Sequence, residues 1–166
     1  YSGPFVTING FRLGRQSNKS VDWAEINAGL GQAAVLLVVL VRAMGIRFKK
    51  YIIVPLGSHT KIARKDDGRI LYNLYTDEGL SLFPRRNFNL ALKAFLDCVG
   101  EASEFVESHD PTLAVPHKIE GGEVTGTVGG LAVALGSSYE EWTRALKFML
   151  TDIKWMVAWV AKYGSG

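Results

Sequence analysis

The chain has 166 residues, of which 48% are hydrophobic and 21% charged, the proportions of one globular domain with an ordinary core. Its net charge of +3 is small and its charges are dispersed, so composition favours acidic surfaces only weakly and gives no indication of nucleic-acid binding. The count of 18 glycines predicts many tight turns, and therefore several short strands between helices.

A single cysteine and one long apolar run limit the class of protein further. Cys98 has no partner for an internal disulfide, which fits a reducing compartment. The start at Tyr1 lacks the charged and apolar regions of a signal peptide, although a fragment of a longer protein could begin in this way. The apolar run 33–41 is too short to span a bilayer and predicts a helix buried on most sides.

The first part of the chain predicts a strand pair followed by a helix. Residues 5–13 alternate loosely and contain Asn9-Gly10, a strong hairpin signal. Asp22 and Glu25 resemble a capping box, so a helix is expected over residues 22–43, with Gly45 as its C-terminal cap.

The middle of the chain repeats this order. Strands are expected at 47–54, 60–64 and 70–75, and Asp67-Gly68 marks a hairpin between the last two. Asn87 reads as the cap of a second helix over residues 87–107.

The last part repeats the order again. Strands are expected at 113–119, 123–128 and 131–135, joined by turns at Gly121-Gly122 and Gly129-Gly130. Ser138 and Glu141 form a capping box, which predicts a third helix over residues 139–162.

Strands followed by a helix, three times over, predict an α+β fold built from three repeats of roughly 50 to 60 residues. The approximate repeats are 1–45, 46–108 and 109–163. Because one such unit cannot bury its apolar face alone, all three are expected to pack around a shared core as a single domain.

One segment between regular elements attracts attention as a surface site. Leu80, Leu82 and Phe83 are apolar, Pro84 interrupts regular structure, and Arg85-Arg86 follows at once. Since loops lie on the surface, an oily tip beside two cations fits a membrane-contacting loop over residues 80–86. The competing interpretation is that Leu82 and Phe83 end a strand and enter the core.

No catalytic, metal or cofactor site is predicted. His59, His109 and His117 are separated and lack a second ligand at metal spacing, and Cys98 lies in an apolar helical stretch that predicts a buried, inert thiol. Trp155 and Trp159 add more aromatic surface than one helix face needs, so one of them is expected to face a partner.

Several stretches together resemble the C-terminal domain of the Beclin family. The most telling are TINGFRLGR at 7–15, VDWAEINA at 21–28, FLDCV at 95–99 and WTRALKFMLT at 142–151. Shorter matches support them at Gly31-Gln32, Val54-Pro55, Gly57-Ser58, Lys154-Trp155 and Ala158-Trp159. They follow the family order along nearly the whole chain.

The resemblance implies three strand–helix repeats around a pseudo-threefold centre. It also implies a non-catalytic subunit of class III phosphatidylinositol 3-kinase complexes, acting in autophagy and in endosomal and vacuolar sorting. Expected partners are anionic lipid membranes, the kinase catalytic and regulatory subunits, and autophagy-specific or endosomal subunits. The expected location is the cytoplasm, peripherally on endosomal, vacuolar and pre-autophagosomal membranes. The family's upstream coiled coil is not in this sequence, which suggests one domain of a longer protein.

In animal relatives this domain binds membranes through an aromatic finger of three consecutive aromatic residues after a Gly-Leu pair. Gly79-Leu80 matches that pair, which places the finger on Leu82, Phe83 and Pro84, and only Phe83 is aromatic. Arg85 and Arg86 are expected to compensate by attracting anionic lipid. The alternative is a protein-interaction module, in which this loop or the Trp155–Trp159 face docks another subunit or the protein's own coiled coil.

Overall fold

The computed structural model describes residues 4–16, 21–77, 82–136 and 138–163, which form three long helices and three small antiparallel sheets. The helices are α1 (Trp23–Met44), α2 (Leu82–His109) and α3 (Tyr139–Tyr163). The strands are β1 (Val6–Ile8), β2 (Phe11–Leu13), β3 (Tyr51–Val54), β4 (Lys61–Arg64), β5 (Leu71–Asn73), β6 (Ile119–Glu120), β7 (Thr127–Val128) and β8 (Leu131–Ala132). The predicted α+β class is confirmed, and the order is consistent with threefold repetition.

The first sheet is the hairpin that the Asn9-Gly10 pair predicts. Asn9 and Gly10 both have positive φ angles, 49° and 86°, as a tight two-residue turn between antiparallel strands requires. Val6 then lies opposite Leu13 in the β1–β2 register, and both side chains are buried. The turn therefore sets the register that places this apolar pair in the core.

The second sheet has the order β3-β4-β5, and its inward face is a row of apolar side chains. Ile53 lies opposite Ile62, which lies opposite Tyr72. The strand predicted from residue 47 begins only at Tyr51, because the backbone N–H of Lys49 donates to the Glu101 side chain at 2.9 Å instead of to a strand.

The third sheet, β6-β7-β8, is shorter than predicted. The strand expected at 113–119 is wrong up to residue 118: Pro116 has no N–H, and the N–H of His117 donates to the Asp152 carboxylate at 2.9 Å. The Gly129-Gly130 turn is confirmed, with φ angles of 59° and 82°. A side-chain acceptor thus takes the place of a ladder bond at His117.

The ends of α1 agree with the sequence prediction only in part. Gly45 is left-handed with φ 74°, and its N–H donates to Arg42, which confirms the predicted C-terminal cap. The capping box is wrong: Asp22 makes no side-chain cap hydrogen bond, and Glu25 accepts hydrogen bonds from Arg12. At the start of α3 the predicted cap hydrogen bond is present: the Glu141 N–H donates to the Ser138 hydroxyl at 3.2 Å.

Three buried aromatic rings meet where the helices begin. Trp23 of α1 lies 6.0 Å from Phe88 of α2 and 5.7 Å from Trp142 of α3, centroid to centroid. Phe88 and Trp142 are 6.2 Å apart, so the three rings are in mutual contact. One ring from each helix therefore marks the centre around which the units pack.

A reciprocal pair of hydrogen bonds links each helix to the segment that follows the next sheet. In each pair, a polar side chain near the helix start both donates to and accepts from one backbone residue. The pairs are Asn27–Thr76 (2.8 and 3.0 Å), Asn89–Leu135 (3.1 and 2.7 Å) and Thr143–Arg15 (2.6 and 2.7 Å). The linkage runs from α1 to the segment after β5, from α2 to the segment after β8, and from α3 back to the segment after β2.

Helix α1 passes through the core. It is long and apolar enough, by length and composition, to cross a membrane, and 50% of its most apolar window is buried inside the fold. Ile26, Leu30, Ala34 and Leu37 are fully buried, and the helix contacts both α2 and α3. The predicted buried helix is confirmed, and it is longer than the apolar run that suggested it.

Candidate functional site

Residues 82–86 form the first turn of α2. The prediction of a loop here, with a helix beginning at Asn87, is wrong, because α2 begins at Leu82. Pro84 is compatible with this position: the first N–H groups of a helix have no intrahelical acceptor, and the proline ring already holds a helical φ. Pro84 therefore lies in the first turn of α2 and does not separate a loop from the helix.

Asn87 positions this turn against the second sheet instead of capping α2. Its side-chain oxygen accepts the Asn73 N–H at 2.7 Å, and its amide nitrogen donates to the Leu71 carbonyl at 3.2 Å. Both bonds go to β5, so Asn87 fastens the start of α2 to the sheet edge. The turn before it consequently projects from a rigid base.

The side chains of residues 83–86 face solvent. Phe83 is 83% exposed, and Pro84, Arg85 and Arg86 are also exposed. The interpretation that Phe83 ends a strand in the core is therefore wrong. Residues 78–81, including the Gly79-Leu80 pair, and the side chain of Leu82 lie outside the described residues.

The charge of the turn is unusual for the start of a helix. The N-terminal end of a helix carries a partial positive charge that favours acidic side chains. Residues 82–86 include no acidic side chain, and they include Arg85 and Arg86. These cations cannot be explained by helix stability, whereas an anionic surface facing the turn would offset both the cations and the helix dipole.

Each of the three histidines packs against an aromatic ring. His59 lies 4.9 Å from Tyr75, His109 lies 4.1 Å from Phe105, and His117 stacks on Phe148 at 3.9 Å. Within residues 4–16, 21–77, 82–136 and 138–163, no group of three or more His, Cys, Asp or Glu side chains could hold a metal ion.

Cys98 is fully buried in α2, as predicted. Burial raises the pKa of its thiol far above the ordinary value, and the carboxylates of Glu101 and Asp97 raise it further. The thiol is therefore protonated at physiological pH and poorly suited to act as a nucleophile.

The two tryptophans near the end of α3 differ in their surroundings. Trp159 is buried, and its ring meets Phe105 edge-on at 6.3 Å and lies 6.1 Å from Tyr163. Trp155 is half-buried. The contact of Trp155 or Trp159 with a partner stays a prediction. Of the two, Trp155 has the more solvent-exposed side chain.

Sequence reasoning missed two features of the surface around α2. Phe83, Arg86, Leu90 and Lys93 recur at helical spacing, a signal that would have placed the helix start before Asn87. Val124, 85% exposed in the connection between β6 and β7, lies in a short polar stretch that offers no periodicity to detect.

Comparison with known proteins gives one consistent family. A family model described as the Apg6 BARA domain matches residues 1–162. The chain is 42% identical over 165 residues to the Beclin-1-like protein of Drosophila melanogaster, covering 97% of this chain and 39% of that protein. It is 41% identical over 167 residues to Beclin-1 of Xenopus tropicalis, with 97% and 38% covered. For Beclin-2 of Homo sapiens the identity is 37% over 167 residues, with 96% and 38% covered.

The chain thus spans about two fifths of the length of these three curated relatives. The family model covers nearly all of it, and the architecture of three strand–helix units agrees with the resemblance seen in the sequence. The chain belongs to the Beclin family, of which it is the Apg6 BARA domain.

Proposed function

We propose that this domain is a non-catalytic membrane-binding adaptor of a class III phosphatidylinositol 3-kinase complex acting in autophagy and endosomal or vacuolar sorting. It docks on anionic bilayers through residues 82–86, with Phe83 entering the lipid and Arg85 and Arg86 facing the headgroups. Its place is therefore peripheral, on endosomal, vacuolar and pre-autophagosomal membranes. In this proposal another subunit carries out the kinase reaction, and this domain holds the complex at the membrane.

The exposure of Phe83 is the observation that carries this proposal. A phenylalanine with 83% of its surface in water gains nothing from the fold, and its neighbours Pro84, Arg85 and Arg86 are exposed as well. The turn stands on a helix fastened to β5 by Asn87, so little ordering is needed when it meets a surface.

The magnitudes fit weak, reversible docking. Transferring the Phe83 side chain into acyl chains contributes roughly 1.5–3 kcal/mol. Each arginine near an anionic surface adds about 1 kcal/mol, so the gross gain is roughly 3.5–5 kcal/mol before ordering costs. This is comparable to a single lipid anchor, which binds only marginally, so other subunits of the complex must supply a second contact.

The test is vesicle co-sedimentation of the Phe83→Asp variant beside the unchanged protein. We expect binding to anionic vesicles to fall about tenfold or more, because the apolar gain is lost and a negative charge is added. The urea midpoint of unfolding should not fall, since Phe83 is exposed and an Asp in the first turn of a helix is favoured by the helix dipole.

The matched control is Val39→Asp, which adds the same charge at an apolar residue of α1 that is 56% exposed. This variant should bind vesicles like the unchanged protein. If both variants bind equally well, or if Phe83→Asp lowers stability in parallel with binding, residues 82–86 are not the membrane contact.

A protein-interaction module is the second candidate, and a specific surface favours it. A groove of about 570 Å³ runs between the end of α1 and β3, lined largely by apolar side chains such as Val38, Val41, Ile46 and Ile53. Ile52 at this groove is 50% exposed. Another subunit or the protein's own coiled coil could bury this surface.

Adding Ile52→Asp to these two variants separates the two candidates. A pull-down of complex subunits that is weakened by Ile52→Asp, and not by Val39→Asp or Phe83→Asp, would assign the groove between α1 and β3 to protein contacts. Vesicle binding with the reverse pattern of sensitivity would assign α2 to the membrane. If subunit capture depends on Phe83 and vesicle binding does not, the second candidate replaces the first.

A further inference from the structure

A basic cleft of about 490 Å³ lies beside α2, between the second sheet and the connection from β6 to β7. Two carboxylates line it, those of Asp66 and Glu123. Five cationic side chains from separate parts of the chain also line it: Lys49, Lys50, Arg64, Lys65 and Lys93. Its volume is within the range of small-ligand sites. Five cations against two carboxylates leave the hollow with an excess of positive charge, which favours an anionic ligand.

Three of the five cations already have partners within the fold. Arg64 pairs with Asp66, the Lys65 ammonium donates to the Phe48 carbonyl, and Lys93 pairs with Asp97 at 3.2 Å. These contacts hold the positive wall of the cleft in place.

The remaining two cations are available to a ligand. The ammonium groups of Lys49 and Lys50 make no hydrogen bond or ion pair with the part of the chain that the structure describes, and both residues are exposed. Their backbone is nevertheless fixed: the Lys49 N–H donates to Glu101 at 2.9 Å, and the Lys50 carbonyl accepts from the Lys65 N–H at 2.9 Å. The two free charges therefore start from an anchored backbone, and an anion has only their side chains left to order.

The cleft lies on the same side of α2 as the exposed phenylalanine. Phe83, Arg86, Leu90 and Lys93 follow one face of the helix, and Leu90 and Lys93 line the cleft. Phe83 and Lys93 are ten residue steps apart, which is about 15 Å along the helix. A ligand in the cleft and a lipid tail around Phe83 can therefore belong to one membrane surface.

We infer that this cleft binds a phosphomonoester on a polyol ring, the group shared by phosphoinositide headgroups and soluble inositol phosphates. A phosphomonoester carries nearly two negative charges and three acceptor oxygens, which suits two free ammonium groups. The hydroxyl-bearing side chains Tyr51 and Tyr72 line the same hollow and suit a hydroxylated ring. The lipid form of this ligand rests on the proposed membrane function, whereas the phosphate site does not.

The test uses one loss variant and one gain variant. Lys49→Gln/Lys50→Gln removes both free charges and keeps the backbone bonds, and we expect affinity to fall about fivefold for each lysine. Glu123, one of the two carboxylates of the cleft, opposes an anion, so Glu123→Gln should tighten binding severalfold.

The control is Arg144→Gln/Lys162→Gln, which removes the same charge from two exposed residues of α3 outside the cleft. All proteins are titrated against three probes: vesicles containing a phosphatidylinositol phosphate, vesicles containing phosphatidylserine at equal total charge, and a soluble inositol bisphosphate. The control should bind each probe like the unchanged protein, apart from a small change on both kinds of vesicle.

The probes separate the sources of the phosphate. Loss on phosphoinositide vesicles and on the soluble ligand, with little loss on phosphatidylserine, supports a headgroup site. Loss on the soluble ligand alone supports a site for a free inositol phosphate. Equal loss in the cleft and control variants, or no response to Lys49, Lys50 and Glu123, overturns the inference. The soluble probe does not involve Phe83, so this result stands apart from failure of the membrane proposal.

Discussion

Thr143 and Arg15 exchange two hydrogen bonds across 128 residues of sequence: the Arg15 N–H donates to the Thr143 hydroxyl at 2.7 Å, and that hydroxyl donates to the Arg15 carbonyl at 2.6 Å. Both groups are buried. Gly14 allows this approach, because a Cβ on it would lie 2.4 Å from the Thr143 methyl carbon. The pair joins the start of α3 to the segment after β2, and so connects the last unit to the first.

We predict that Thr143→Val lowers the free energy of unfolding by about 1–3 kcal/mol. The shape of the side chain is kept, but the buried Arg15 N–H and carbonyl both lose their partner, and an unsatisfied buried group costs about that much. Urea unfolding followed by tryptophan fluorescence measures the difference.

Thr151→Val is the matched control on the same helix. The Thr151 hydroxyl donates to the Lys147 carbonyl at 2.7 Å, but that carbonyl also belongs to the helical ladder. Its removal should change stability by less than about 0.5 kcal/mol. Equal effects at both positions would show that the Thr143–Arg15 pair has no special role in closing the fold.

A second prediction concerns Gly31, where α1 meets the short 3₁₀ turn Gly57–His59. A Cβ on Gly31 would lie 2.0 Å from the Gly57 carbonyl oxygen, a backbone atom that cannot easily move. Gly31→Ala gains about 1 kcal/mol of helix propensity but must separate α1 from this turn, so we expect net destabilisation by about 1–3 kcal/mol.

Gly68→Ala provides the comparison, because nothing lies within 4 Å of a Cβ there. Thermal unfolding of the two variants should show a lowered midpoint for Gly31→Ala and almost no change for Gly68→Ala. A raised midpoint for Gly31→Ala would mean that helix propensity outweighs the close contact.

The strand–helix order was predictable because its signals are local. Asn9-Gly10, Gly129-Gly130 and Gly45 each need positive φ, which glycine and asparagine adopt at low cost, and all three positions behave as predicted. The equivalence of the three units was not visible, because it rests on the pairs formed by Asn27, Asn89 and Thr143. Their partners lie 46 to 128 residues away, and no local pattern encodes them.

At residues 82–86 the sequence predicts surface exposure, which residues 83–86 have, and a loop conformation, which is wrong. Phe83 and Arg85-Arg86 were chosen for their chemistry, and their exposure agrees with that choice. The sequence predicts a loop at this turn because Pro84 interrupts regular structure, but a proline in the first turn of a helix is well tolerated. The cleft beside α2 could not be predicted, since Lys50, Lys65 and Lys93 come together only through tertiary packing.

We predict that Cys98 reacts with Ellman's reagent only when the domain unfolds. Its side chain is fully buried, and burial raises the thiol pKa, so neither access nor thiolate is available in the native state. In native buffer the absorbance at completion should appear on the timescale of unfolding, and in urea it should appear at once. Rapid reaction in native buffer would contradict the burial of this thiol.

A last prediction follows from a buried carboxyl group on α3. Asp152 is fully buried: Oδ1 accepts the His117 N–H at 2.9 Å, and Oδ2 has no hydrogen-bond partner among residues that the structure describes. Burial raises the pKa of Asp152 from 3.8 to about 7, and the bond from His117 opposes this only in part.

The folded state therefore binds the Asp152 proton more tightly than the unfolded state does. The stability that this proton contributes is fully present below pH 3.8, and it is lost progressively as the pH rises towards about 7. Burial lowers the pKa of neighbouring His117, which makes stability increase with pH, so the two groups must be separated by a difference measurement.

Asp152→Asn cannot ionise and keeps an acceptor for the His117 N–H. We expect its stability relative to the unchanged protein, from urea titrations at a series of pH values, to increase with pH across that range and then level off. A difference that is flat or falls with pH would show that Asp152 ionises freely in the folded domain.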